Sequence, residues 1–263
     1  MGIVMGSFSI ASVLGVPAGL ELAELGTWQT PFYATGLLGL ATAFLTARNL
    51  PRSISSETDR HGTEPFSFWK LISRTEVLQT YLMGSMIMLS IFLLIPNIAA
   101  FVQGNLHYPR TEMGRLYMAG GIVSFIGMRV SGRLADRLGV LSIALIGSVG
   151  VIAAIYGSFV HSPSLGPWFL FIGFMLATSF RNISYNTLVS RVPRSHERAG
   201  FMSVQSSVQH ISSASGAFLS ANFLTSNSNQ LIGIDKLGSV AIAMSILVPI
   251  LFFLVHQRVN KTQ

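Results

Sequence analysis

The stretch "GRLADRLG", residues 132–139, lies between two long apolar runs and carries three charges in eight residues. The glycines at its ends, Gly132 and Gly139, permit a tight turn and close helix approach. Asp136 can cap the helix that follows and complement its positive end. Arg133 and Arg137 can pair with Asp136 or with a neighbouring helix end. In a water-soluble chain these residues would form a basic loop with a helix cap. The flanks change that reading. Runs 113–131 and 138–160 are each long enough to cross a bilayer, so the stretch is a connector between two membrane spans.

Six further apolar segments of spanning length extend outward from this pair, at 2–25, 28–48, 76–103, 168–189, 200–224 and 238–256. Half of the 263 residues are apolar and only a tenth are charged, against roughly a quarter charged in ordinary soluble domains. Such a chain cannot clothe a water-facing surface. Segments in lipid must satisfy their own backbone polar groups, so the spans are expected to be helices. The ten-residue alternation of a membrane barrel does not occur. The expected fold is an all-α integral membrane bundle of about eight transmembrane helices. The chain has no cysteine, which excludes a disulfide framework and thiolate metal sites. The opening "MGIVMGSFSI" lacks the basic n-region of a secretory signal peptide and is read as part of the first span.

The net charge of +7 raises the question of nucleic acid, and its distribution answers it. Alternate connectors hold Arg48, Arg52, Arg60, Lys70, Arg74, Arg129, Arg133, Arg137, Arg191, Arg194, Arg198, Arg258 and Lys261. The intervening set holds only Arg110, Arg115 and Lys236. A split of 13 to 3 follows the positive-inside rule and places the first set, with the C-terminus, in the cytoplasm. These cations anchor loops rather than forming a stripe for nucleic acid. The polar, proline-containing connector 51–74 is the longest, as expected of a linker between two packed halves.

Read in order, these features resemble the major facilitator superfamily of transporters. "GRLADRLG" is similar to the first eight positions of that family's loop motif, "G-x-L-a-D-r-x-G-r-[RK]"; Val140 and Leu141 stand where its basic pair would be. "SVLGVPAGL", residues 12–20, with Gly15, Pro17 and Gly19, loosely resembles the fifth-helix signature "G-x-x-x-G-P-x-x-G-G" of proton-antiporting members. Its glycines also make a small-xxx-small face for helix packing, and its proline is expected to bend the helix. "GTWQTPFY", residues 26–33, resembles the short outer loop before helix six. The resemblance implies that the spans correspond to helices five to twelve, the first four helices being absent. It divides the chain into 1–50, the last two helices of an N-terminal half; 51–74, the central cytoplasmic loop; and 75–263, a six-helix C-terminal half. It also implies transport by alternating access at the bacterial inner membrane, with efflux coupled to protons.

Polar residues inside the spans are the candidate path. An arginine at a bilayer centre costs about 2.5–3.5 kcal/mol on insertion scales. At 100° per residue, Thr178, Arg181, Asn182, Tyr185 and Asn186 share an arc of about 140°. In the next span Gln205, Ser206, Gln209, Ser212, Ser213 and Gly216 fall within about 120°, bordered by His210. Ser90 and Asn97 share a face of the span at 76–103, with Pro96 adjacent. The candidate substrate path is therefore Asn97, Arg181, Asn182, Tyr185, Asn186, Gln205, Gln209 and His210. Two readings stay open for each. Serines and amides in spans also serve as interhelical glue. Arg181 is either functional or a structural partner of a backbone carbonyl, and His210 is either a proton carrier or a hydrogen-bonded core histidine.

No zinc-binding histidine pair, phosphate-cradling glycine loop or "GxSxG" elbow occurs in the sequence. No enzymatic activity, metal or cofactor is expected. The expected partners are the lipid bilayer, a small-molecule solute and protons, and not nucleic acid. The rival expectation is a non-transporting fragment that needs a partner supplying the missing N-terminal helices.

Overall fold

The computed structural model describes residues 15–49, 68–161, 165–194, 197–227 and 230–262. The beginning of the first expected span and most of the 51–74 connector lie outside the described residues. Helix α1 is Val16–Leu25 and α2 is Thr30–Asn49. A single-turn helix α3, Phe68–Ile72, leads into α4, Thr75–Phe92. A 3-10 turn at Ile95–Asn97, where Pro96 cannot donate to the preceding turn, joins α4 to α5, Ile98–Gly104. Helices α6, Met113–Leu138, and α7, Val140–Ile155, follow, and α7 closes in a π-helical turn at Tyr156–Val160. Next come α8, Pro167–Val189, and α9, Arg198–Phe223. Two short antiparallel strands, β1 at Thr225–Asn227 and β2 at Gln230–Ile232, precede α10, Ile234–Thr262.

The helix ends follow from local chemistry. Gly139, between α6 and α7, has φ 87°, a conformation costly for any residue with a Cβ. Its amide closes the end of α6 on the Ala135 carbonyl, and Arg137 sits in the last turn, where a cation complements the helix dipole. Helix α8 starts with Pro167 in its first turn, where a missing N–H costs nothing. Asp235 occupies the first turn of α10, on the favourable side of that dipole.

Among the described residues three stretches, Thr75–Gly104, Val140–Val160 and Ile234–Val259, are long and apolar enough to cross a membrane. Large apolar side chains project outward from the bundle, among them Leu78, Ile126, Val149 and Phe253. Several serines and threonines are turned inward: Thr80, Ser90, Ser148, Ser184 and Ser245 are fully buried. Several return their hydroxyl to their own helix, as Ser148 does to the Ala144 carbonyl at 2.8 Å and Ser184 to that of Phe180 at 3.1 Å. This distribution suits a lipid solvent, and the protein is an all-α, multi-pass membrane protein, the two-stranded hairpin aside.

Helix α8 lies at the centre, packed against α6 on one side and α7 on the other; α4 packs against both α9 and α10. Small residues set the closest crossings. A Cβ on Gly147 would stand 2.5 Å from the Arg181 backbone nitrogen, and one on Gly216 would stand 2.9 Å from the Leu89 carbonyl oxygen. Such approach maximises contact where lipid supplies little drive for helices to associate. Helix α1 rests on α6, whereas α2 touches chiefly α1 and has no buried residue.

The structure corrects one sequence expectation. The 132–139 motif is not a loop: residues 132–138 are the last two turns of α6, and only Gly139 breaks the helix. Asp136 makes no cap to α7, because Gly139 is the residue at its entrance; Arg133, Asp136 and Arg137 are all exposed. A Cβ on Gly15 or Gly19 would meet nothing within 4 Å among the described residues. Pro17 falls in the first turn of α1, and residues 2–14, where a bend would be measured, lie outside the described residues.

Candidate substrate path

Arg181 is fully buried, among the largest side chains to be so in the described residues. Its nitrogens Nε, Nη1 and Nη2 are all out of contact with solvent and have no hydrogen-bond partner among the described residues. Gly147 of α7 lets α7 and α8 meet at the Arg181 backbone. A buried guanidinium without a partner is an unstable arrangement in a medium of low polarity. It is therefore equipped to receive an anionic or hydrogen-bond-accepting group.

One turn further along the same face, Tyr185 is also buried. Its hydroxyl accepts hydrogen bonds from Gln205 Nε2 at 3.1 Å and Gln209 Nε2 at 3.2 Å, both on α9. The hydroxyl reaches across to α4, where it fills the space a side chain at Gly84 would need. Tyr185 thus ties α4, α8 and α9 into one polar knot. Gln205 Oε1 is buried beside it, with no hydrogen-bond partner among the described residues.

The remaining candidates divide. Asn97, at the joint of α4 and α5, donates from Nδ2 to Ser220 Oγ of α9 at 3.1 Å. Ser85 and Ser212 share a hydrogen bond of 2.7 Å, and Ser212, Gly216 and Ser220 are buried against α4. Much of the polar arc of α9 is therefore spent on packing with α4. Asn182 and Gln209 are half-buried, whereas Asn186, Ser206 and His210 are exposed on the described bundle. Arg181, Tyr185, Gln205 and Gln209 are brought together around the α8–α9 contact; Asn97 is near the far end of α9, and Asn186 and His210 point outward.

Sequence reasoning missed three features. Ser124 of α6 and Ser179 of α8 share a hydrogen bond of 2.9 Å. Arg74, read only as a loop anchor, donates from Nε to Glu76 at 2.8 Å and from Nη1 to Glu197 at 2.5 Å, and reaches the Val192 carbonyl at 3.4 Å. A cavity of about 730 Å³ opens between α1 and the ends of α5 and α6, lined by Glu21, Glu24, Gln103, Arg110 and Arg115 among others. Glu21 and Glu24 sit three apart, on one helix face, which is the only local signal the sequence offered for that cavity.

A bundle of membrane-length helices, lipid-facing outside and polar within, defines a multi-pass membrane protein built around an intramembrane polar centre. The sequence profile of the Major Facilitator Superfamily matches residues 1–217, and the chain belongs to that superfamily. It is a membrane transporter of the major facilitator type, with the lipid bilayer and a small solute as its partners.

Proposed function

We propose that the protein exports a small organic solute in exchange for protons, and that the solute passes the Arg181–Tyr185–Gln205–Gln209 centre. The observation that carries this reading is the buried, unpartnered guanidinium of Arg181. A purely structural arginine would be expected to have its donors satisfied, as those of Arg74 are. The Gln205 and Gln209 amides add neutral donors and acceptors of the kind that orient a polar solute. Asn182 and Asn186 of α8, His210 of α9 and Asn97 at the joint of α4 and α5 extend the path. Proton coupling rests on the resemblance around Gly15, Pro17 and Gly19, and His210 is the titratable group for it. The charge bias of the connectors supports a cytoplasmic C-terminus, with the protein in a bacterial inner membrane.

The test is flux. The full polypeptide in proteoliposomes, under an imposed pH gradient, is expected to move a solute from a panel of sugars, drugs, amino acids and organic anions. Arg181→Leu is expected to lower that flux at least tenfold with unchanged insertion. Flux of every panel solute unaffected by Arg181→Leu rules out this centre as the path; solute movement indifferent to the pH gradient rules out proton coupling alone.

A second reading has its own support in α2. That helix has apolar residues along its whole length and none buried. It favours α1 and α2 packing against further helices, so that this polypeptide transports only in company with the partner that supplies them. Co-expression with separately encoded helices that restores flux to an otherwise inactive chain supports that reading; flux from the purified chain alone overturns it.

A further inference from the structure

At the end of the bundle opposite the Glu21–Arg115 cavity, a second cavity of about 260 Å³ is lined by Arg74, Glu76, Arg191, Val192, Pro193, Arg194 and Val259. It is formed by the start of α4, the turn after α8 and the end of α10. Its charges are unequal in status. Arg74 is occupied on two edges by Glu76 and Glu197. Those two carboxylates thereby spend their charge within the wall of the cavity. Arg191 and Arg194 are exposed and take part in no ion pair among the described residues. The cavity therefore offers two uncommitted guanidinium groups, each a planar fork matched to phosphate oxygens.

The surroundings select the source of the phosphate. From Arg74, the positions one and two turns along the same face of α4 are Leu78 and Leu82. Both face outward, 55% and 45% exposed. Leu78 and Leu82 thus extend from Arg74, in the cavity wall, as an exposed apolar strip along α4. A soluble phosphate would use the two arginines but not the strip. An amphiphile with an anionic head and an acyl tail uses both, and basic pockets at helix ends on the cytoplasmic side suit anionic headgroups.

We infer that this cavity is a binding site for the phosphate headgroup of an anionic phospholipid, held by Arg191 and Arg194 with its acyl chain along Leu78 and Leu82. Arg74 positions the site: its bonds to Glu197 and the Val192 carbonyl hold the turn that carries both arginines. The site is distinct from the Arg181 centre and does not depend on which solute is carried.

The experiment is a binding titration on the full chain in a neutral detergent. The probes are a short-chain phosphatidylglycerol, the matching phosphatidylcholine and inorganic phosphate, each read by thermal shift and native mass spectrometry. Phosphatidylglycerol is expected to bind and stabilise, with phosphatidylcholine and inorganic phosphate at least tenfold weaker. The double variant Arg191→Gln/Arg194→Gln is expected to bind phosphatidylglycerol about 30-fold more weakly, the loss two arginines near an anionic surface carry. Arg133→Gln/Arg137→Gln removes the same charge from exposed positions on α6 and is expected to stay within twofold of the parent. Leu78→Gln is expected to weaken the lipid and leave inorganic phosphate unchanged. Equal binding of phosphate and phosphatidylglycerol overturns the lipid assignment, as does equal loss in the two arginine double variants. Retention of full affinity in Arg191→Gln/Arg194→Gln overturns the site itself.

Discussion

Two arginines in this molecule occupy opposite electrostatic situations. Arg74 stands at the rim of the bundle, with a carboxylate on each of two edges and a backbone carbonyl within reach of a third nitrogen. Arg181 stands in the interior of α8, wholly enclosed, with none of its three nitrogens partnered among the described residues. The rim arginine binds three segments of chain together, so its value is structural. The interior arginine has no hydrogen-bond partner among the described residues and costs free energy where it is. A charge retained at a cost in that position is expected to act on something other than the fold.

The comparison can be broken by substitution. The largest effect is expected from Gly147→Leu. Its Cβ would fall 2.5 Å from the Arg181 backbone nitrogen, so α7 and α8 must part or the chain must fail to assemble. A loss of about 3 kcal/mol or more is expected from this overpacking, read as absence of monodisperse protein after extraction. If Gly147→Leu is stable and active, the enclosure of Arg181 described here is wrong. Glu197→Gln comes next. It removes one of the two anions on Arg74, and about 1–3 kcal/mol of stability is expected to go with it, because the pair is only partly exposed. Denaturant midpoints of the variant and parent measure that loss.

Tyr185→Phe sharpens the comparison on the Arg181 side. The hydroxyl that accepts from Gln205 and Gln209 disappears, leaving two amide donors without their acceptor. A cost of about 1–2 kcal/mol is expected, together with reduced flux, and transport with unchanged KM and kcat would remove Tyr185 from the path. The smallest effect is expected from Ser124→Ala. Its bond to Ser179 is replaceable, since the Ser179 hydroxyl also reaches its own helix at the Met175 carbonyl, 2.7 Å away. About 0.6 kcal/mol is expected, the average for such contacts in membranes; a loss above about 2 kcal/mol would make the α6–α8 contact a stronger determinant than the packing suggests.

How much of this was legible in the sequence follows from which forces are local. Apolar runs reveal spans because lipid imposes one length on all of them, so α7 to α10 begin and end within about six residues of the runs that announced them, while the run 76–103 is divided at Pro96 into α4, a 3-10 turn and α5. The exception was 132–138, where charged residues suggested a loop but α6 simply continues past the apolar zone until Gly139. The β1–β2 hairpin was not foreseen. Its strands are three residues each, held by Asn105 exchanging two bonds with Leu231 across the fold. The burial of Arg181 and Tyr185 was readable from helical periodicity. Their partners were not: the Gly84 opening for Tyr185 and the Glu197 bond to Arg74 depend on how α4 crosses its neighbours, which no local pattern records. Periodicity also over-reached on α9, assigning to one polar arc both the Gln205–Gln209 pair and the Ser212–Gly216–Ser220 face that packs on α4.

The contrast between the arginines reduces to one paired measurement: thermal midpoint and solute flux for Arg74→Leu and Arg181→Leu, made in the full chain under one condition. Arg74→Leu is expected to lower the midpoint by several degrees, because two buried-edge carboxylates lose their counter-charge. Arg181→Leu is expected to hold or raise the midpoint while flux falls at least tenfold. A midpoint that falls with Arg181→Leu while flux per folded molecule is retained would contradict the account, and would make Arg181 a structural residue like its counterpart at the rim.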